Sequence, residues 1–138
     1  MDTMTMGADA AAAARECTAG SDEGRLTFPQ VLGLLAQAGV ERYHADLSRA
    51  EKTYYLPDGR SLVTAGALLE AAPQTAFSAA GVDRALREIQ AGGLDYRQFC
   101  ARIAQAGCVG YHVSLAGRRA VYYGRTGETH VEMFPGAG

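Results

Sequence analysis

Apolar residues recur at intervals of three and four in two stretches of the chain. This spacing is typical of one face of a helix and predicts two helices of about ten residues each. Thr27 and Asp95 precede them as N-caps, and a glutamine three residues later completes a capping box in both. Gly39 and Gly107 are expected to end them. The apolar positions are Val31, Leu34, Leu35 and Ala38 in the first helix and Phe99, Ile103 and Ala106 in the second.

Strands are predicted after each helix, because apolar and polar residues alternate there. The first pair of strands, at 43–47 and 111–115, carries a Tyr-His dipeptide. The second pair, at 52–56 and 119–123, carries a Tyr-Tyr dipeptide, and a third pair follows at 61–64 and 128–134. Further helices are predicted at 8–17, at 66–72 before Pro73, and at 82–90.

The chain also matches itself at an offset of 68 residues. Residues 28–59 and 96–127 align without a gap and are identical at eleven of 32 positions, where about two or three identities are expected by chance. We therefore predict an α+β fold of internally duplicated helix plus β-hairpin units, which form an antiparallel sheet with helices packed on one face. The expected organisation is a disordered tail at 1–7 and a single α+β domain at 8–135, with repeats at 28–64 and 96–134.

The alternation along the strands indicates which side chains lie away from the helices, on what we call the open face. Tyr43 and Tyr111 share their side with apolar residues, which leaves His44 and His112 on the open face. If the apolar side of the last strand also meets the helices, His130 joins them. The polar residues expected beside these histidines are Asp46, Ser114, Glu128 and Glu132.

Tyrosine and arginine side chains add candidates to this surface. Adjacent tyrosines on a strand place one ring on each face, and Tyr54 and Tyr122 are taken as the members that bind. Core packing is the alternative for these rings. Arg125, in a turn after the second hairpin, is a candidate contact for an anion, with a solvated loop as the alternative.

Composition narrows the classes of partner. The net charge is -2 and the pI about 5.9, so no nucleic-acid partner is expected. No apolar run approaches the roughly 20 residues that span a bilayer, so no membrane partner is expected, and no signal peptide is recognised. The cysteines have no CxxC spacing and are interpreted as reduced thiols of a cytoplasmic protein or as small buried hydrophobes. They are Cys17, Cys100 and Cys108.

Several segments resemble the YbcV-like family of small bacterial proteins of unknown function. They are AGVERYHADL, EKTYYLPDG and DYRQFCARIAQAGCVGYHVSLAGRRAVYYGRTGETHVEMFP. The resemblance covers roughly residues 26–135, and YYGRTGETHVEMFP is its most specific part. It implies a compact α+β domain without established catalytic residues. Some members are labelled phage envelope protein and some occur in prophages, which implies a phage-derived structural or accessory protein.

The residues of the open face support two further functions. The leading one is a noncatalytic binding or interaction module that forms a homodimer, because exposed tyrosine and histidine are typical of interfaces. The alternative is a small enzyme or metal-binding protein that uses His44, His112 and His130. These histidines form no HxH or HExxH pattern, so neither a metal site nor a cofactor is predicted, and the sequence does not identify a ligand.

Overall fold

The computed structural model describes residues 7–134, which form a six-stranded antiparallel sheet and four helices. The predicted α+β class is therefore confirmed. Among the described residues, no helix is both long and apolar enough to cross a bilayer. The helices are α1 (Ala8–Asp22), α2 (Phe28–Gln37), α3 (Ala79–Gln90) and α4 (Tyr96–Gln105). The strands are β1 (Arg42–Asp46), β2 (Glu51–Tyr55), β3 (Ser61–Ala65), β4 (Cys108–Ser114), β5 (Arg119–Gly124) and β6 (Thr129–Met133).

All six strands belong to one sheet, in the order β3-β2-β1-β4-β5-β6. We call Ala8–Ala65 the first half of the chain and Ala79–Met133 the second half, since each consists of two helices followed by three strands. The halves meet where β1 pairs with β4, and His44 lies opposite His112 at the middle of that pairing. The sequence left open whether the halves share a sheet, and the structure places them in the same one.

The helices α2 and α4 begin with the capping boxes that the sequence predicts. The Thr27 side chain accepts a hydrogen bond from the N–H of Gln30, whose side chain accepts one from the N–H of Thr27. Asp95 and Gln98 make the same reciprocal pair at α4. These bonds satisfy N–H groups that have no partner within a helix, and so they define where each helix starts.

The glycines that follow these two helices have a left-handed backbone, with φ of 82° at Gly39 and 83° at Gly107. Glycine adopts this conformation at little cost, which is why the predicted helix ends are found there. Gly107 meets a second constraint, because a Cβ at this position would lie 2.1 Å from the carbonyl oxygen of Ala76. The equivalent Cβ at Gly39 would meet nothing within 4 Å.

Equivalent positions in the two halves make equivalent backbone hydrogen bonds. The N–H of Gly66 donates to Ala50 at 2.7 Å, and 68 residues later the N–H of Phe134 donates to Arg118 at 2.9 Å. Ala50 and Arg118 both have positive φ, 56° and 53°. The matching backbone geometry agrees with the offset seen in the sequence, while internal duplication as its origin stays a prediction.

The segment 66–72 is not a helix, contrary to the prediction, and has no regular structure. Its first two N–H groups bond to partners outside the segment, since Gly66 donates to Ala50 and Ala67 donates to the Asp22 carboxylate. These bonds hold the start of the segment against the turn between β1 and β2 and against the end of α1. The helices predicted at 8–17 and 82–90 are present as α1 and α3, and both are longer than predicted. The predicted disordered tail lies outside the described residues except for Gly7, and the domain boundaries stay a prediction.

A layer of buried tyrosines separates the sheet from the helices. Tyr43 packs on Tyr54 and Tyr111 packs on Tyr122, each pair with ring centroids 5.1 Å apart. Large buried rings of this kind contribute much of the apolar area in a small core. The three cysteines are also buried and unpaired, as small apolar residues would be.

Candidate functional site: the open face of the sheet

The open face carries three rows of side chains that cross the strands. The strand register places these residues side by side, because neighbouring strands present directly opposed residues on the same face. The central row is Val63, Thr53, His44, His112, Val121 and Val131. The basic row is Ser61, Tyr55, Arg42, Ser114, Arg119 and Met133. The acidic row is Ala65, Glu51, Asp46, Gly110, Tyr123 and Thr129.

Two histidines and a tyrosine form the centre of this face, as the sequence predicts for the histidines. The rings of His44 and His112 have centroids 4.5 Å apart, and both rings stack on Tyr123 at 5.9 and 5.6 Å. The His44 Nε2 atom and the Tyr123 hydroxyl are 2.6 Å apart and share a hydrogen bond. The alternation of side chains along β1 and β4 predicts that both histidines lie on the open face. The position of Tyr123 depends on the register between β4 and β5.

Partial burial keeps these histidines neutral. Desolvation lowers the pKa of His44, against an opposing attraction from Asp46. Desolvation also lowers the pKa of His112, and the nearby His44 and Arg42 lower it further. Burial raises the pKa of the Tyr123 hydroxyl. The centre of the open face is therefore an uncharged aromatic cluster near neutral pH.

The flanking rows carry opposite charge. Arg42 lies over the ring of Tyr55, with its guanidinium carbon 3.9 Å from the centroid, and pairs with Glu41 at 2.9 Å. At the other end of β1, the Asp46 carboxylate accepts hydrogen bonds from the N–H groups of Ser48 and Arg49 in the following turn. These contacts orient the charged groups, so one edge of the central row is basic and the other acidic.

Apolar side chains are exposed toward both ends of the face. Val63 on β3 is 54% exposed, and Val131 and Met133 on β6 are 43% and 52% exposed. Single exposed apolar residues are ordinary on protein surfaces, but these share a sheet face that no described helix covers.

Tyr54 and Tyr122, predicted as binding-surface residues, belong instead to the core, with 1% and 5% of their surface exposed. The register explains the error, because Tyr54 opposes Tyr43 and Tyr122 opposes Tyr111 on the helix side. Their neighbours Tyr55 and Tyr123 are the tyrosines of the open face. Adjacency in sequence shows that the two rings separate but not which ring goes to which side.

His130 and Glu132 were expected on the open face, and this placement is wrong. They oppose Tyr122 and Ala120 and so lie on the helix side of β6. The expectation assumed that Val131 and Met133 would pack on helices, but β6 is an edge strand and its helix side meets polar residues of α3. The alternative function that uses all three histidines therefore lacks the shared site that it needs.

The helix side of β6 holds a group with the residue types of a metal site. Asp83, His130 and Glu132 present ligand atoms within 4.8 Å of one another. Arg87, however, donates to Asp83 at 3.0 Å and lies 3.5 Å from Glu132. Gln90 also donates to Glu132, at 3.1 Å. Because Arg87 and Gln90 already contact these carboxylates, the group is better explained as a polar cluster that joins α3 to β6.

The remaining predicted residues lie at turns. Ser114 accepts a hydrogen bond from the N–H of Gly117 at 2.8 Å and so closes the hairpin. Arg125 donates to the carbonyl oxygen of Pro73 at 2.7 Å and ties the loop before α3 to the last turn. Glu128 accepts a hydrogen bond from Thr126, which lowers the pKa of its carboxyl group. These contacts account for the three side chains without a ligand.

Sequence comparisons place the chain among proteins of unknown function. Residues 72–132 match a family model described as a protein of unknown function (DUF1398). Uncharacterized proteins of Mycobacterium bovis and of two Mycobacterium tuberculosis strains are 30% identical over 108 residues. That stretch is 78% of this chain and 66% of each relative, so the chain spans just under two thirds of their length. The YbcV-like label stays a prediction. The chain is thus similar to a family of unknown function over less than half of its length, and to these uncharacterized proteins over most of it.

Proposed function

We propose that this chain is a noncatalytic interaction module whose open face binds a second copy of the chain. The supporting observation is the exposure of Val63, Val131 and Met133 on a sheet face that no described helix covers. Apolar side chains at both edges of one face lose their contact with water when a partner covers the whole face, which favours association.

The charge pattern selects one geometry for the pair. A twofold axis between two facing sheets, perpendicular to the strands, reverses the strand direction of the partner. It lays the basic row of one copy over the acidic row of the other and each central row over its counterpart. An axis parallel to the strands would place two basic rows against each other, which like-charge repulsion disfavours.

The central row suits such a contact. Facing sheets pack about 10 Å apart, with strands aligned to within about 30°. Val63, Val121 and Val131 supply apolar contacts, and the paired histidines add aromatic surface between them. Because desolvation already lowers the pKa of both histidines, they enter the contact without charge.

Sedimentation equilibrium of the wild-type chain and surface variants tests the proposal. Val63→Glu and Val131→Glu place charges in the contact, and we expect each to shift the equilibrium toward monomer. Leu68→Glu is the matched control, since Leu68 is 70% exposed but lies outside the open face. A wild-type chain that stays monomeric at about 100 µM contradicts the proposal, since weaker contacts fall short of a stable interface.

A charge exchange tests the geometry of the pair. Arg42→Glu and Glu51→Arg should each weaken dimerisation, because each places like charges opposite one another. The double variant should recover part of the lost affinity, because the two new charges have opposite sign and lie on rows that face each other in the pair. If the double variant is as weak as the sum of the single variants, the antiparallel arrangement is wrong even where a dimer exists.

A phage-derived structural or accessory role, which the YbcV-like resemblance implies, stays a second hypothesis. It predicts that the open face binds a different protein, in which case the wild-type chain would sediment as a monomer.

A further inference from the structure

Lys52 is the single lysine among the 13 basic residues of the sequence, and the others are all arginine. It lies on the helix side of β2, between Ala45 of β1 and Thr64 of β3, and is 8% exposed. Lysine is among the residues least often buried without a partner. The open face makes no use of this side chain.

Lys52 lines a cavity of about 580 Å³ between α1, α4, the sheet and the segment 66–74. Its Nζ atom lies 4.1 Å from the ring centroid of Tyr96 and 6.0 Å from that of Tyr43. Within residues 7–134, Nζ takes part in no hydrogen bond or salt bridge. The aromatic rings attract the cation only weakly, so the amine of this buried residue lacks an ionic partner and faces the open space of the cavity.

Burial shifts this amine toward its neutral, nucleophilic form. Desolvation lowers the pKa of Lys52, although Cys100, Asp22 and Cys17 act in the opposite direction. The neutral amine is therefore present at lower pH than in a solvated lysine. A desolvated amine beside a cavity is the arrangement that covalent chemistry of lysine with carbonyl compounds requires.

The charges around the cavity indicate what class of compound could enter. Besides Lys52, the lining holds one cationic side chain, Arg97. Its carboxylates outnumber the cations and disfavour a free anion. They also favour a positive charge once it forms inside. The carboxylates of the lining that do not belong to the open face are Asp22, Glu70 and Asp95.

We infer that Lys52 forms a Schiff base with a small, neutral aldehyde or ketone that binds in this cavity. The Nζ lone pair attacks the carbonyl carbon, and the resulting carbinolamine loses its hydroxyl group and a proton as water. The carbonyl oxygen leaves in that water with two hydrogens, and a C=N bond joins the ligand to Lys52. In its protonated form the imine is a cation held between the Tyr96 ring and the acidic lining.

Reductive trapping tests this inference independently of the open face. The folded protein is incubated at neutral pH with propionaldehyde and sodium cyanoborohydride, which converts the imine to a stable secondary amine. Intact mass and a tryptic digest then report the site, because an alkylated Lys52 leaves the peptide 50–60 uncleaved. We expect Lys52 to be labelled several-fold faster than Nα-acetyl-lysine under the same conditions.

Three comparisons complete the test. Lys52→Met should retain only label on the N-terminal amine, with circular dichroism to confirm folding. Gly66→Phe narrows the cavity and keeps the lysine, and should slow the labelling. Glyoxylate, an anionic aldehyde, should react more slowly than propionaldehyde. Labelling of Lys52 no faster than of the free amino acid overturns the inference, and faster labelling by glyoxylate overturns the preference for a neutral ligand.

Discussion

The two halves of the chain fold alike but fill their interiors differently. In the first half, Lys52 and Gly66 border an open cavity. The positions 68 residues later are Ala120, which is 1% exposed, and Phe134, whose ring packs edge-on against Phe28 at 5.3 Å. Gly66 and Phe134 make the same backbone hydrogen bond, so at this position the two halves differ in the side chain. One half is packed with a phenylalanine where the other leaves room for a ligand.

On the opposite side of the sheet the halves are largely alike in the central row. His44 and His112 are 68 residues apart in sequence and meet at the centre of the open face. Val63 and Val131 repeat in the same way, but the charged residues do not, since Arg42, Asp46 and Glu51 correspond to Gly110, Ser114 and Arg119. The central row therefore suits a partner with the same row, whereas the cavity lies on the helix side of the sheet, between the first half and α4. The self-association surface and the ligand cavity that we propose therefore lie on opposite sides of the sheet.

The largest effects are expected in the tyrosine layer that both halves share. Tyr54→Ala and Tyr122→Ala should each lower the free energy of unfolding by about 3–5 kcal/mol, because each removes a large buried ring. Tyr54→Ala also removes the contact with the Thr18 hydroxyl at 2.8 Å. Urea denaturation measures both. Tyr55→Ala, on the open face, is the control and should cost about 1 kcal/mol or less. Equal costs at Tyr54 and Tyr55 would contradict the assignment of faces.

Replacing the glycines after α2 and α4 with alanine should lower the free energy of unfolding by different amounts. Gly39→Ala places a side chain at positive φ in open space and should cost about 1 kcal/mol. Gly107→Ala adds an overlap with the backbone at Ala76 and should cost about 3 kcal/mol or more. Thermal and urea denaturation of the two variants measure the difference. Similar costs would show that the loop before α3 moves aside readily.

Replacing Lys52, which borders the cavity, should stabilise the protein. Because the pKa of Lys52 is lowered in the folded state, the unfolded chain binds more protons as pH falls below the unfolded pKa of about 10.4, and folding becomes less favourable. Lys52→Met should therefore stabilise the protein at pH 7, and by less at pH 10. Arg60→Met, at an exposed ion pair, is the control and should change stability by under about 1 kcal/mol. A destabilised Lys52→Met at pH 7 would contradict the reading of Lys52 as an uncompensated charge.

The sequence correctly predicted the features that depend on contacts between residues close together in the chain, namely the starts and ends of the helices. The capping residues Thr27 and Asp95 and the glycine ends of the helices act within a few residues, and all are found where the pattern places them. The strand partners of Tyr54 and His130 depend on register and on which helix covers an edge strand, and both were misassigned. A period of two fixes which residues share a side, but not which side meets the helices.

Lys52 shows a different limit of prediction from the sequence. The sequence contains a signal for it, since one lysine among so many arginines is unusual. Its importance depends on Tyr96, which is 44 residues away in sequence, and on a segment that was predicted to be helical. No periodicity within the strand distinguishes a lysine that snorkels to solvent from one that faces a cavity.

The smallest effect is expected from the histidines at the centre of the open face. Both have a pKa below the unfolded value of about 6.5, so their stabilising contribution is complete above that pH and is lost as pH falls through the lower, folded values. Both rings are partly exposed, so solvent limits the loss. Replacing His112 with Asn should flatten the decline in stability between about pH 6.5 and pH 5. It should also make His44 easier to protonate, because the two histidines repel each other when both are charged. Urea denaturation across this range measures the slope. A slope in His112→Asn as steep as in the wild-type chain would mean that carboxylates, and not the paired rings of the two halves, control the acid sensitivity of the protein.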